Sequence, residues 1–83
     1  MTHIQVTLTG NATPIAATAQ TISQLTVQNN ATHACRLGGP EVSATSGIAL
    51  AASSAPFTWS VPTVIAFWYL YGTSGDVIDV IYG

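Results

Sequence analysis

His33 and Cys35 stand two apart, and residues two apart on a strand project from the same face, so a nucleophile and its base would be sought there first. Such a pair needs a third group to orient the imidazole and donors for an oxyanion, and no motif in the chain supplies either. A buried cysteine otherwise behaves as a small hydrophobe, and His33 follows the turn Asn30-Ala31-Thr32, so packing is the expectation for Cys35. Asp76 and Asp79 invite an acid–base or Ca²⁺ reading, but a spacing of three sets them on opposite faces of a strand. Asp76 is expected to begin a strand after Gly75, and Asp79 to face solvent or a donor from a neighbouring chain. Glu41, after Gly39-Pro40, reads as a solvated turn residue, and His3 as an exposed or interface residue. Gly38-Gly39 leads into Pro40 rather than a helix start, so it is no phosphate cradle. One cysteine supports neither a disulfide framework nor a Cys-rich zinc site. No catalytic, cofactor-binding or metal residues are expected, and the chain reads as a non-enzyme.

Arg36 is the only Lys or Arg. It is expected either as a polar contact, paired with a carboxylate within the chain or across chains, or as a solvated surface residue. A single cation gives no electrostatic footprint for nucleic acid. Charged residues make up 5% of the chain, against about 25% in ordinary soluble proteins. Their place is taken by Thr, Ser, Ala, Gln and Asn. With 48% hydrophobic residues the composition is that of a folded chain, not a disordered one. The segment Met1-Thr2-His3-Ile4-Gln5 has neither the basic nor the apolar stretch of a signal peptide. The longest apolar run, Val64 to Tyr71, is far short of the roughly 20 residues of a membrane helix. The sequons at Asn11 and Asn30 matter only in a eukaryotic secretory pathway, and a chain rich in Thr and Asn meets that pattern by chance.

The elements that must position these residues are strands. Ile4, Val6 and Leu8 alternate with His3, Gln5, Thr7 and Thr9 up to Gly10-Asn11, and Leu25 and Val27 alternate with polar neighbours up to Asn29-Asn30. Further strands are expected near Ile15, over Ala34 to Leu37, over Val42 to Ala44, at Ile48 to Leu50, and from Phe57 until Pro62 stops it. Val64 to Tyr71 reads as a strand apolar on both faces, with Ile65, Phe67, Tyr69 and Tyr71 on one and Val64, Ala66, Trp68 and Leu70 on the other. Gly72-Thr73-Ser74-Gly75 then reads as a hairpin connection into a return strand, Asp76 to Tyr82. The Ala-rich stretch 48–56 holds Ser53-Ser54 and ends at Pro56, so it reads as strand and loop rather than helix. About seven short strands spanning 1–83 imply one all-β domain, a small antiparallel β-sandwich or barrel of jelly-roll type.

So small a domain buries little core, and no staple reinforces it. Trp59, Phe67, Trp68, Tyr69 and Tyr71 are therefore expected as core or subunit-contact residues. The scarcity of surface charge agrees with a chain held inside a larger assembly.

The cadence Val27-Gln28-Asn29, Cys35-Arg36-Leu37-Gly38-Gly39, then Val42, Ala44, Gly47, Ile48 and Leu50, followed by an aromatic strand over Phe67 to Tyr71 and a return strand over Val77 to Ile81, resembles small β-sandwich virion proteins of tailed bacteriophages. The likeness covers residues 24–83 and departs from the pattern at Ala51 to Pro56 and in the unusually apolar Val64 to Tyr71. It implies a structural part of a phage particle: a capsid decoration (cement) protein, a head-fibre base, or a tail-fibre or adaptor module. A decoration protein would be a homo-oligomer, commonly a trimer, on the capsid exterior, bound to the major capsid protein and to neither nucleic acid nor membrane. The alternative is a carbohydrate- or receptor-binding module, which would gain if Trp59 and Trp68 lined an open groove.

Overall fold

A computed structural model describes residues 2–53 and 55–83; Met1 and Ser54, which belong to the leader and Ala-rich readings above, lie outside the described residues. The chain is all-β and antiparallel. Ten strands occur among the described residues: β1 (Thr2–Thr7), β2 (Thr13–Pro14), β3 (Thr21–Ile22), β4 (Leu25–Gln28), β5 (Cys35–Gly38), β6 (Ile48–Leu50), β7 (Phe57–Trp59), β8 (Thr63–Val64), β9 (Tyr69–Tyr71) and β10 (Val77–Tyr82). A 3-10 turn, Ile65–Phe67, sits between β8 and β9.

The pairing is nested. β1 pairs with β10, β2 with β9, β3 with β8, β4 with β7 and β5 with β6. Thr2 lies opposite Tyr82, Thr13 opposite Leu70, Thr21 opposite Val64, Leu25 opposite Trp59 and Cys35 opposite Leu50. Every such pair is centred on Val42 to within about one residue, so the chain is one long hairpin folded at its middle, with strand ladders setting the register. Two further pairings, β10 with β4 and β5 with β9, roll that hairpin into sheets β1-β10-β4-β7 and β2-β9-β5-β6, with β3-β8 a separate two-stranded ribbon. This is the connectivity of a jelly roll.

Alternation puts one row from each strand inside. Ile4, Val80, Val27 and Phe57 are aligned across the first sheet, as are Tyr82, Leu25 and Trp59. Leu70 and Leu37 face them from the second sheet, beside Cys35 and Leu50. Leu25, Val27, Leu37, Ile65, Leu70, Ile78 and Val80 are completely buried, which makes this a single core.

Three expectations fail here. Val64 to Tyr71 is not one strand: the 3-10 turn reverses the alternation, so Ile65 is buried while Phe67 is 66% exposed. Gly72 to Gly75 is not a hairpin, because β9 and β10 lie in different sheets and the segment arches between them. A Cβ on Gly72 would lie 2.7 Å from Leu8 Cδ1 and 3.0 Å from Cys35 Cβ, so glycine lets the arch sink onto the core. Val42 to Ala44 is part of a turn closed by a Ser43–Ser46 bridge rather than a strand. β3 and β8 were not expected as separate strands. The expected strand near Ile15 is β2, and Ile15 itself is a buried residue following it.

Candidate functional site

The register sorts the connections to two ends. Residues 8–12, 29–34, 51–56 and 72–76 meet at one, called here the asparagine end; residues 15–24, 39–47 and 60–68 meet at the other, the aromatic end.

At the asparagine end the loops are joined by polar bonds. Asn29 is fully buried; its Nδ2 donates to the carbonyls of His33 (2.9 Å) and Leu50 (3.0 Å), and its Oδ1 accepts from the Ala31 N–H (3.0 Å). His33 Nδ1 lies 3.0 Å from Asp76 Oδ2. The Leu8 N–H donates to the Asp76 carbonyl and the Gly75 N–H to the Leu8 carbonyl, both at 2.8 Å. Nearby, Asp79 accepts from Gln5 Nε2 (3.1 Å) and Asn30 Nδ2 (2.5 Å), with His3 Nε2 at 3.4 Å. The Gln5 and Asn30 hydrogen bonds, then His3, hold the Asp79 carboxyl below the usual carboxylate range.

These contacts revise the roles expected for the polar residues. His33 and Cys35 do not share a strand face: His33 is exposed in the loop before β5, and Cys35 points into the core. Burial pushes the Cys35 thiol up to about 11, with the charge of Asp76 adding to the rise, so it stays protonated at neutral pH and is no activated nucleophile. Asp76 precedes β10 rather than beginning it. Asp79 lies on the outer, solvent-facing side of β10, where it meets donors of its own chain. Glu41 is exposed at the fold's midpoint turn. No group of three His, Cys, Asp or Glu side chains suited to a metal occurs among the described residues.

The five aromatic residues expected as core or subunit contacts fall in different places. Trp59 and Trp68 meet edge to face, centroids 5.3 Å apart at 62°, and both, partly buried, pack against the core. Trp68 Nε1 donates to Thr63 Oγ1 at 3.1 Å, whereas the buried Trp59 Nε1 finds no acceptor among the described residues. Tyr69 and Tyr71 flank inward-facing Leu70 on β9 and so share the outer face of the second sheet, half-buried. Phe67 is exposed at the aromatic end, its carbonyl near Gly39. Val61 (57% exposed) and Ile48 (43%) lie at the same end. These three side chains leave apolar surface exposed at the aromatic end.

Arg36 lies on the outer face of β5, in register with Tyr71 on one side and Ala49 on the other. Its Nη1 donates to the Gly47 carbonyl at 2.9 Å. Among the described residues the close carboxylate contacts are His3–Asp79 and His33–Asp76, so no carboxylate neutralises Arg36. Its expected carboxylate within the chain is therefore absent from that set. Sequence reasoning missed Asn29, reading it as a strand-ending residue; a buried amide serving two carbonyls has no signal in a linear pattern. Comparisons with family models, with curated proteins and with solved structures find no match to this chain.

Proposed function

We propose that the chain is a non-enzymatic structural protein of a tailed-bacteriophage virion, a decoration protein that trimerises on the capsid exterior and adds buried contacts between major capsid subunits. The observation that carries the reading is the aromatic end, where Phe67, Val61 and Ile48 are each exposed. On a domain this small, such apolar surface is stabilised by being covered. Its charge poverty supports the same reading, since little has to be desolvated when the surface meets a neighbour. The jelly-roll connectivity, common among viral capsid and lectin domains, agrees at the level of fold alone.

The mechanism is mass action. A protein that binds the assembled shell and not its separated subunits raises the free energy of disassembly. Binding of the purified chain to phage particles stripped of it, followed by thermal release of the packaged DNA, tests this. Saturable binding and a higher release temperature are expected. A chain that stays in the supernatant, or binds without changing the release temperature, contradicts the reading.

A further inference from the structure

The outer face of the second sheet carries a hollow of about 410 Å³, and Phe67 is not among the residues that line it. It is lined by residues with almost no side chain, Ala34, Ala49 and Gly72 among them, together with Arg36 and Tyr71. Two features of the backbone shape it. Gly72 lets the arch after β9 sink toward the core, as its close approach to Leu8 and Cys35 requires. Gly47, at φ +116°, brings its carbonyl to Arg36; a Cβ there would lie 2.7 Å from Val42 Cγ2 and 3.0 Å from the Leu37 carbonyl. The guanidinium is thus anchored through one nitrogen, while the remainder of its fork has no carboxylate partner among the described residues.

We infer that this hollow binds an acidic saccharide, a sugar carrying a ring carboxylate. The anchored guanidinium receives the carboxylate in a forked, charge-assisted pair, and Tyr71 offers a flat apolar wall to the sugar ring. Charge complementarity selects the ligand class: in a chain of net charge −2, the only Lys or Arg faces an open hollow. A saccharide fits better than a peptide strand, because Arg36 and Tyr71 lie side by side on the interior strands β5 and β9, and the free edge of β6 faces away from them. The volume falls within the range of roughly 300–1,000 Å³ usual for small-molecule sites.

The test is titration of the intact chain, by calorimetry or by amide chemical shifts, with trigalacturonic acid, its methyl ester and a triglutamate peptide. Trigalacturonic acid is expected to bind and to perturb residues 34–36, 49 and 71–73. The neutral ester should bind about tenfold more weakly, as should R36Q toward the acid, since both remove the charge-assisted pair. R36K, which keeps the charge but not the fork, should recover part of the loss, and Y71A should weaken both sugars. Unchanged thermal melting of the variants keeps a loss of binding distinct from a loss of fold. No binding of the acid, equal binding of acid and ester, an undiminished R36Q, or triglutamate binding as tightly as the sugar would each overturn the inference. F67D should leave the titration unchanged, so failure here and failure of the assembly reading are separate results.

Discussion

At the asparagine end of the sandwich, four connections are drawn together by Asn29, the His33–Asp76 pair and the Leu8 backbone bonds. At the aromatic end, Ile22 and Ile65 plug the core, the Trp pair packs over it, and Phe67, Val61 and Ile48 remain in solvent. The first end ties its loops together through polar bonds within the chain. The second buries what it can and leaves a surplus. A rolled hairpin has to cross between its sheets at both ends, and this one makes the crossings with amides at one end and with aromatic and aliphatic side chains at the other. The difference teaches where a neighbour would be worth having.

The comparison is tested most severely by removing the plug. I65A deletes a completely buried side chain and should cost about 2–5 kcal/mol in urea unfolding. At the opposite end, N29D turns two hydrogen bonds into a carboxylate facing the His33 and Leu50 carbonyls, with an expected cost of about 2–4 kcal/mol. Because the sites lie at opposite ends with no shared partner, the double variant should be additive. Marked non-additivity would show that the ends are one unit.

A smaller effect is expected at the midpoint of the hairpin. G47A forces a side chain into a left-handed backbone against Val42, and should cost about 1–3 kcal/mol by the same assay. The smallest concerns Asp79, whose depressed folded-state pKa stabilises the fold above the ordinary carboxylate value of 3.8 and loses that contribution as pH falls through the folded value. D79N should be less stable than the parent at pH 6 by under about 1 kcal/mol, as befits an exposed cluster, and the gap should close in acid. A gap that widens as the pH drops would reverse the sign.

Most strands were legible because their burial follows a period of two: Leu25 and Val27, Cys35 and Leu37, and Ile78, Val80 and Tyr82 all face the core as their alternation requires. The break in Val64 to Tyr71 was not legible, since an unbroken apolar run looks the same whether it stays extended or turns at Ile65–Phe67. Gly72 to Gly75 misled for a related reason: a glycine-bounded polar tetrad suits an arch as well as a hairpin, and only the partners of β9 and β10 distinguish them. One overlooked signal was present. Connections 8–12 and 72–76 match in length, as do 29–34 and 51–56, and that mirror spacing about Val42 is the mark of a nested hairpin. The polar contacts were hidden by distance along the chain, as Asp79 shows by joining Gln5, Asn30 and His3.

We propose the aromatic end as a contact surface, and light scattering of the purified chain beside its F67D variant is the sharpest test of that proposal. The account predicts a trimer or larger for the parent, and for F67D a smaller species with unchanged melting, because Phe67 is 66% exposed and supports little of its own core. A parent chain that remains monomeric at high concentration, or an F67D variant of the same size as the parent, would contradict it.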